Sequence, residues 1–330
     1  MNPEPHWDPL GYTRDLPLRE VFYPLGFTLD IETNTQAILD AATESWAGSV
    51  SVFGDPTLRL RVVVSPAQSG QAPPQPPVCH AQGHLLSLVG DRDHFAVCDL
   101  DRGFAFATLT EQAAADRRFL RFYYLECIAY VLLTWRRLTA IHASCVSLGE
   151  NAALFCGRPG AGKSCLALAC ACQGMEFVSD DAVYLLRQGS DRTLLGRPRF
   201  VRLKEAAAQL FPQLRLLQPP LSRSAIDDGA EPVFEFATAG LPGIATRERC
   251  RAAHVIFLER QLVGAAQLVE VPSSEAVDLL VRELPRFSAE VSREQVDSVK
   301  ELVERGAYRL RYSDLECAVE KVRALLRGNA

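Results

Sequence analysis

The stretch Gly157-Arg158-Pro159-Gly160-Ala161-Gly162-Lys163-Ser164 decides the fold class, because it fits the pattern G-x-x-x-x-G-K-[S/T] at every position. Glycines in such a loop allow main-chain N–H groups to turn inward around an anion, where a Cβ would obstruct the approach. The apolar run 153–156 before the loop predicts a strand, and the run 165–169 after it predicts a helix. A strand, this loop and a helix in succession predict a phosphate-binding loop, with the positive end of the helix directed at the anion.

The loop also predicts which cofactors bind. The Lys163 ammonium is expected to contact the β- and γ-phosphates of ATP, and the Ser164 hydroxyl is expected to be a ligand of Mg²⁺. The predicted cofactors are therefore ATP and Mg²⁺. The predicted nucleotide-binding residues are Gly157, Arg158, Pro159, Gly160, Ala161, Gly162, Lys163, Ser164 and Cys165.

An acidic pair, Asp180-Asp181, follows the apolar run Phe177-Val178-Ser179, 17 residues after Lys163. One short helix and one strand would return the chain to the sheet edge that carries the loop. Phosphoryl transfer to a hydroxyl needs a further metal ligand and a base, and two adjacent carboxylates there could divide these roles. A solvated turn pair is the alternative reading of Asp-Asp. His142, on the preceding predicted strand, is read either as a core histidine or as a substrate contact.

Composition excludes several functional classes. The chain has 330 residues, 48% hydrophobic and 23% charged, with a net charge of −5, which is typical of a globular protein. Mild acidity without a long Lys/Arg run argues against nucleic-acid and membrane partners. Most of the ten cysteines lie in apolar segments, as expected of thiols in a reducing compartment, and the N-terminal residues show no signal-peptide pattern. The predicted location is cytoplasmic.

Hydrophobic periodicity predicts an α/β protein with an N-terminal α+β accessory region, and the glycine loop indicates that the α/β part is a P-loop kinase core. A long helix is predicted from about Gln112 to Arg137, and one strand from Ile141 to Leu148. The polar segments 65–77 and 221–231 are predicted to be loops. The predicted domains are an N-terminal accessory region at 1–111, a connecting helix at 112–137 and the P-loop kinase domain at 138–330. Strands are predicted at 27–31, 58–64, 85–89, 95–100, 152–156, 177–179, 183–186, 254–258 and 308–310, and further helices at 35–46, 163–173, 273–284, 293–304 and 313–327.

The set formed by His142-Ala143, the loop 157–164 and Val178-Ser179-Asp180-Asp181 resembles the catalytic domain of the HPr kinase/phosphorylase family. That family consists of bacterial serine kinases whose fold is similar to phosphoenolpyruvate carboxykinase. The resemblance extends over about 138–260 and is specific in 140–186.

The resemblance implies a role for each matching residue. Asp180 would be the base that orients the acceptor serine, and Asp181 would hold Mg²⁺ together with Ser164. His142 would lie near the acceptor and tune the base, and Arg202 would contact phosphate. Phe200-Val201-Arg202-Leu203 departs from the family's Glu-Ile-Arg-Gly, which implies a kinase without the reverse, phosphorolytic reaction.

The departure at Phe200 also makes the chain look more like divergent members of the family that phosphorylate a serine of a lasso-peptide precursor. This resemblance implies that the region 1–111 is a substrate-recognition or accessory module. The expected function is therefore an ATP-dependent kinase acting on a serine of a peptide or small protein. The alternatives are a kinase for a small-molecule hydroxyl and a non-catalytic nucleotide-binding regulator. The sequence leaves open the acceptor, the exact ATP-like donor and the oligomeric state.

Overall fold

The computed structural model describes residues 14–66, 74–187, 191–216 and 233–328. These residues form a mixed α/β protein with three β-sheets. The chain divides into two compact units, Met1–Arg137 and Leu138–Ala330, which are described separately.

The N-terminal unit is built around a seven-stranded sheet in the order β1-β2-β3-β7-β6-β5-β4. β2, β3 and β7 are parallel, and the other neighbours are antiparallel. The core side of the sheet carries apolar residues at alternate positions, such as Leu29 and Ile31. The strands are β1 (Leu18–Phe22), β2 (Phe27–Thr33), β3 (Phe53–Ser65), β4 (Val78–Gln82), β5 (Leu85–Val89), β6 (Phe95–Asp99) and β7 (Phe104–Thr110).

The long helix predicted for 112–137 is wrong as a single element. Helix α1 spans Gln36–Trp46, and the next helix along the chain, α2, spans Glu111–Ala115. The chain leaves the helical conformation directly after α2, at Asp116, which has φ −77° and ψ 87°. The Asp116 carboxylate accepts a hydrogen bond from the Phe119 N–H at 3.0 Å and starts a new helix. Aspartate competes with the helix in this way because its short side chain caps exposed N–H groups. The continuation comprises α3 (Arg117–Phe119), a π-helical segment (Leu120–Glu126) and α4 (Cys127–Arg136).

The C-terminal unit is built around a ten-stranded sheet. Its main path is β16-β11-β9-β10-β17-β13-β12-β8, and β19 pairs with both β17 and β18. The strands are β8 (Leu138–Ile141), β9 (Ser144–Leu148), β10 (Asn151–Cys156), β11 (Glu176–Ser179), β12 (Val183–Leu186), β13 (Thr193–Leu195), β16 (Ala245–Thr246), β17 (Arg249–Arg260), β18 (Gln267–Val271) and β19 (Ala307–Tyr312).

The single strand predicted from Ile141 to Leu148 is wrong, because the chain breaks at His142-Ala143. β8 ends at Ile141 and pairs with β12, whereas β9 begins at Ser144 and pairs with β10 and β11. The two halves therefore have different neighbours. An apolar run without a turn signal gives no sign of such a change.

Helices cover the ten-stranded sheet on two faces. One core packs α5 (Lys163–Cys172) and α9 (Leu315–Leu326) around residues such as Phe155 and Phe177. A second core packs α7 (Ser273–Val281) and α8 (Ala289–Val303) against residues such as Leu154. Adjacent residues of β10 therefore enter opposite cores, as the alternation of side chains along a strand requires.

A third, two-stranded sheet consists of β14 (Phe200–Lys204) and β15 (Val233–Ala237), and the short helix α6 (Glu205–Ala208) follows β14. The predicted loop at 221–231 and most of the one at 65–77 lie outside the described residues. Within the described ranges, no helix combines the length and apolar character needed to cross a membrane.

Candidate active site

Three chain segments meet at one edge of the ten-stranded sheet. β9 lies between β10 and β11 and is antiparallel to both, so β10 and β11 run parallel to each other. Their carboxyl ends therefore lie at the same edge, about 10 Å apart given a spacing of roughly 4.8 Å between neighbouring strands. The glycine loop 157–162 follows β10, and Asp180 and Asp181 follow β11. His142 lies two residues before the start of β9, at the same edge.

The glycine loop has the backbone conformation that its sequence requires. Gly157, Gly160 and Gly162 have φ values of 152°, 84° and 94°, a region that residues with a Cβ rarely adopt. At Gly160 a Cβ would meet open space, so the dihedral angle alone favours glycine there. At Gly162 a Cβ would also lie 2.5 Å from the Tyr312 hydroxyl. Arg158, Pro159 and Gly160 are exposed, whereas Ser164 and Cys165 are half-buried in the first turn of α5.

Lys163 has its side chain folded back onto the loop. The residue is 8% exposed, and its Nζ donates a hydrogen bond to the Gly157 carbonyl at 2.7 Å. Burial lowers the pKa of Lys163, and the nearby negative charge of Asp181 opposes that shift. This effect of Asp181 on Lys163 indicates that the acidic pair and the loop share one electrostatic environment.

Asp180 is a buried carboxylate with its main chain and side chain both fixed. It is 6% exposed, its carbonyl accepts a hydrogen bond from the Ser144 hydroxyl, and its Oδ2 accepts one from the Arg202 N–H at 2.5 Å. Burial raises the pKa of Asp180 to about 7, the Arg202 guanidinium opposes the rise and Asp181 adds to it. A carboxylate with this pKa can accept a proton near neutral pH.

Asp181 and His142 lie beside Asp180 but are open to solvent. The His142 Nδ1 lies 3.4 Å from the Asp181 Oδ1, and both side chains are exposed. Asp180 and Asp181 lie between Ser179 and Ala182, and the Ser179 hydroxyl donates a hydrogen bond to the Ala182 carbonyl at 2.7 Å. The two aspartates therefore differ in environment, one buried and one exposed, although they are adjacent in sequence.

Arg202 connects the edge of the large sheet to the β14–β15 pair. Its main-chain N–H binds Asp180, while its Nε donates to the Glu235 Oε2 at 2.8 Å. Arg202 and Glu235 are directly opposite in the antiparallel register, and Glu235 is only 4% exposed. Phe200, where the resemblance implied a glutamate, is half-buried at the start of β14. The carboxylate that contacts Arg202 is therefore that of Glu235 on β15, and not one at position 200 on β14.

Sequence reasoning missed Glu235, Tyr312 and Gly196, which all contact predicted site residues or the strand before them. Glu235 had a weak signal, a single carboxylate between Phe234 and Phe236 in an apolar strand. Tyr312 had none, because its contact with the loop spans 151 positions. Gly196 lies against Val178, and a Cβ at Gly196 would overlap with the Val178 carbonyl group.

The donor set fits Mg²⁺ by chemistry. A serine hydroxyl at position 164 and the exposed carboxylate of Asp181 are hard oxygen donors, which Mg²⁺ prefers. Mg²⁺ in proteins also keeps several waters and takes ligands from substrate phosphates, so few protein ligands are needed.

Comparison with known proteins gives a distant structural similarity. No protein-family model matches the chain, and no curated protein matches it in sequence. Among solved structures, the Hpr(Ser) kinase/phosphatase from Coxiella burnetii is similar, with a TM-score of 0.31 and 13% sequence identity. The match covers 57% of this chain and 99% of that one. It identifies neither a family nor a reaction for this protein.

Proposed function

We propose that the protein is an ATP-dependent kinase that transfers the γ-phosphate to a serine hydroxyl of a peptide or small protein. The observation that carries the proposal is the common edge of β10 and β11, where the glycine loop with Lys163 lies beside Asp180 and Asp181. Transfer to a hydroxyl requires a loop that binds phosphate and a carboxylate that accepts a proton, together with ligands for Mg²⁺.

Each residue has a role in the proposed reaction. The loop N–H groups and Lys163 bind the phosphates of ATP. Asp180 accepts the proton of the acceptor hydroxyl while the hydroxyl oxygen forms a bond to the γ-phosphorus. The bond between that phosphorus and the β–γ bridging oxygen breaks, and ADP leaves. Ser164 and Asp181 would hold Mg²⁺, which neutralises charge that develops on the phosphate oxygens.

His142 and Arg202 have supporting roles. His142, within 3.4 Å of Asp181, would orient that carboxylate near the acceptor. The Arg202 N–H holds Asp180 in place. Its guanidinium, bound to Glu235, limits the rise in the pKa of Asp180 and thereby keeps a fraction of the carboxylate ionised at neutral pH.

The test is incubation of the full chain with γ-labelled ATP and Mg²⁺, with serine peptides, including those encoded beside the gene, and with small-molecule alcohols as acceptors. Mass spectrometry should locate phosphate on a peptide serine. Asp180→Asn should bind Mg·ATP but transfer no phosphate, because an amide does not accept the proton. The exposed Asp278→Asn is the matched control and should react as the wild type does.

Other outcomes have definite meanings. Label found only on a small-molecule hydroxyl would replace the peptide acceptor with the small-molecule one. Binding of ATP with no transfer to any hydroxyl would favour a nucleotide-binding regulator. Absence of ATP binding by the wild type would overturn the proposal entirely.

A further inference from the structure

Tyr312 reaches the glycine loop from the far end of the sequence. It is the last residue of β19, and β10, β17 and β19 are parallel neighbours, so β19 ends at the edge that carries the loop. The residue is 3% exposed, and its hydroxyl donates a hydrogen bond to the Ala161 carbonyl at 3.1 Å. The Tyr312 main chain is fixed as well, since its carbonyl accepts from the Gln261 N–H at 2.8 Å.

This hydrogen bond determines the orientation of a peptide group in the loop. A trans peptide is planar, with its C=O and N–H pointing in opposite directions. Because the Ala161 carbonyl points to Tyr312, the N–H of Gly162 points away from it. Burial raises the pKa of Tyr312 to about 12, so the phenol remains a donor throughout the physiological pH range.

The same hydroxyl also accounts for the residue at position 162. A Cβ there would lie 2.5 Å from the Tyr312 Oη but 3.8 Å from its Cζ. The steric conflict therefore involves the hydroxyl oxygen alone, and a phenylalanine ring in the same place would leave ordinary van der Waals contact.

We propose that Tyr312 is a positioning residue for the phosphate-binding loop, whose hydroxyl directs the Gly162 N–H toward the bound phosphate and requires glycine at position 162. The inference rests on the proposed function, because it assigns the loop to phosphate binding. It adds a residue that the loop pattern does not include.

The first test is Tyr312→Phe in the full chain, with binding of Mg·ATP and of inorganic pyrophosphate measured by calorimetry. Loss of one orienting hydrogen bond should weaken both ligands by a similar factor, about three- to tenfold. Pyrophosphate lacks the nucleoside, so an equal loss for both ligands places the effect at the phosphates. Tyr308→Phe, a change on the same strand outside the site, is the matched control and should retain wild-type affinity.

The second test is a double-mutant cycle with Gly162→Ala. In the wild-type background this change meets both the hydroxyl and the unfavourable φ of 94°, whereas in the Tyr312→Phe background only the cost of the dihedral angle remains. Gly162→Ala should therefore reduce pyrophosphate affinity less in the Tyr312→Phe background than in the wild type. A merely structural contribution of Tyr312 would give equal reductions in both backgrounds.

Hydrogen–deuterium exchange of the ligand-free proteins gives a readout that does not depend on affinity. Peptides that cover 157–166 should exchange faster in Tyr312→Phe, with the rest of the chain unchanged. Wild-type affinity for both ligands in Tyr312→Phe, or unchanged exchange in this segment, would overturn the inference. If the wild type binds neither ligand, the proposed function fails instead.

Discussion

Asp180 combines a short, fixed carboxylate with almost complete burial, and this combination gives a stability effect that is independent of any ligand. Its folded-state pKa is about 7, against an ordinary value of 3.8. Between these values the folded protein holds a proton that the unfolded chain releases. The contribution of Asp180 to the free energy of unfolding is therefore fully present below the unfolded-state pKa, and it is lost as the pH rises through the folded-state pKa.

We therefore expect Asp180→Asn to change the free energy of unfolding of the metal-free protein more favourably at pH 8 than at pH 5, because the amide carries no charge to bury. Only the part of the shift between pH 5 and the folded-state pKa of about 7 contributes to this comparison, which corresponds to at most about 3 kcal/mol. Urea denaturation of both proteins in EDTA at the two pH values measures the difference. Asp278→Asn, at an exposed position, is the matched control. An equal effect of Asp180→Asn at both pH values would mean that the carboxylate is ionised in the folded state throughout.

Lys163 is a buried cation at the end of the loop, and its Nζ donates a hydrogen bond to the Gly157 carbonyl of the loop. Lys163→Ala should abolish the rise in melting temperature that Mg·ATP produces, because the ammonium is the main side-chain charge available to the β- and γ-phosphates. Differential scanning fluorimetry over a range of ATP concentrations measures the rise. Lys300→Ala, at an exposed lysine paired with Asp297, is the matched control. A Lys163→Ala protein with wild-type ATP affinity would exclude this loop as the phosphate site.

At the scale of elements, the chain between β13 and β14 crosses the end of β11 in close contact. Gly196 lies so near Val178 that a Cβ would overlap with its carbonyl oxygen and its Cγ1 and would lie 2.9 Å from its carbonyl carbon. Val178 is two residues from Asp180, and main-chain atoms cannot move aside as a flexible side chain can. This crossing also brings Arg202 to the position where its N–H meets the Asp180 carboxylate.

Gly196→Ala should therefore destabilise the protein by about 1–3 kcal/mol, the usual cost of overpacking. It should also reduce phosphate transfer more than ATP binding, because the strand that precedes Asp180 must shift. Gly54→Ala is the matched control, since its Cβ would meet nothing within 4 Å and its φ is not positive. Denaturation curves and transfer assays on both variants check this. Equal stability of the two variants would contradict the crowding at Gly196.

The elements also show what sequence patterns could and could not predict. The loop, its flanking strand and helix, and the return of the chain at 177–181 follow from local spacing and apolar periodicity. The break at His142 depends on which strands pair, and the restart at Asp116 depends on one side chain capping a helix rather than facing solvent. The contacts of Glu235 and Tyr312 join positions far apart in sequence, and a single sequence carries no signal for such pairs.

At the scale of the whole molecule, every candidate site residue lies in the C-terminal unit. That unit has two apolar cores of its own, on the two faces of the ten-stranded sheet, whose members all fall between Ile141 and Leu326. A unit with its own core is expected to fold independently. The proposed role of the N-terminal unit is recognition of the acceptor, which is separate from nucleotide binding.

A fragment of residues 138–330 should therefore unfold cooperatively and gain the same free energy of stabilisation from Mg·ATP as the full chain, because linkage depends only on ligand concentration and on affinity for the folded state. It should lose transfer to the peptide acceptor, since the recognition unit is missing. The fragment carrying Lys163→Ala is the control for specific nucleotide binding. Scanning fluorimetry and the γ-labelled transfer assay measure the two properties separately. A fragment that folds but does not bind ATP would show that nucleotide binding needs the N-terminal unit. A fragment that still phosphorylates the peptide at the full-chain rate would show that the N-terminal unit does not recognise the acceptor.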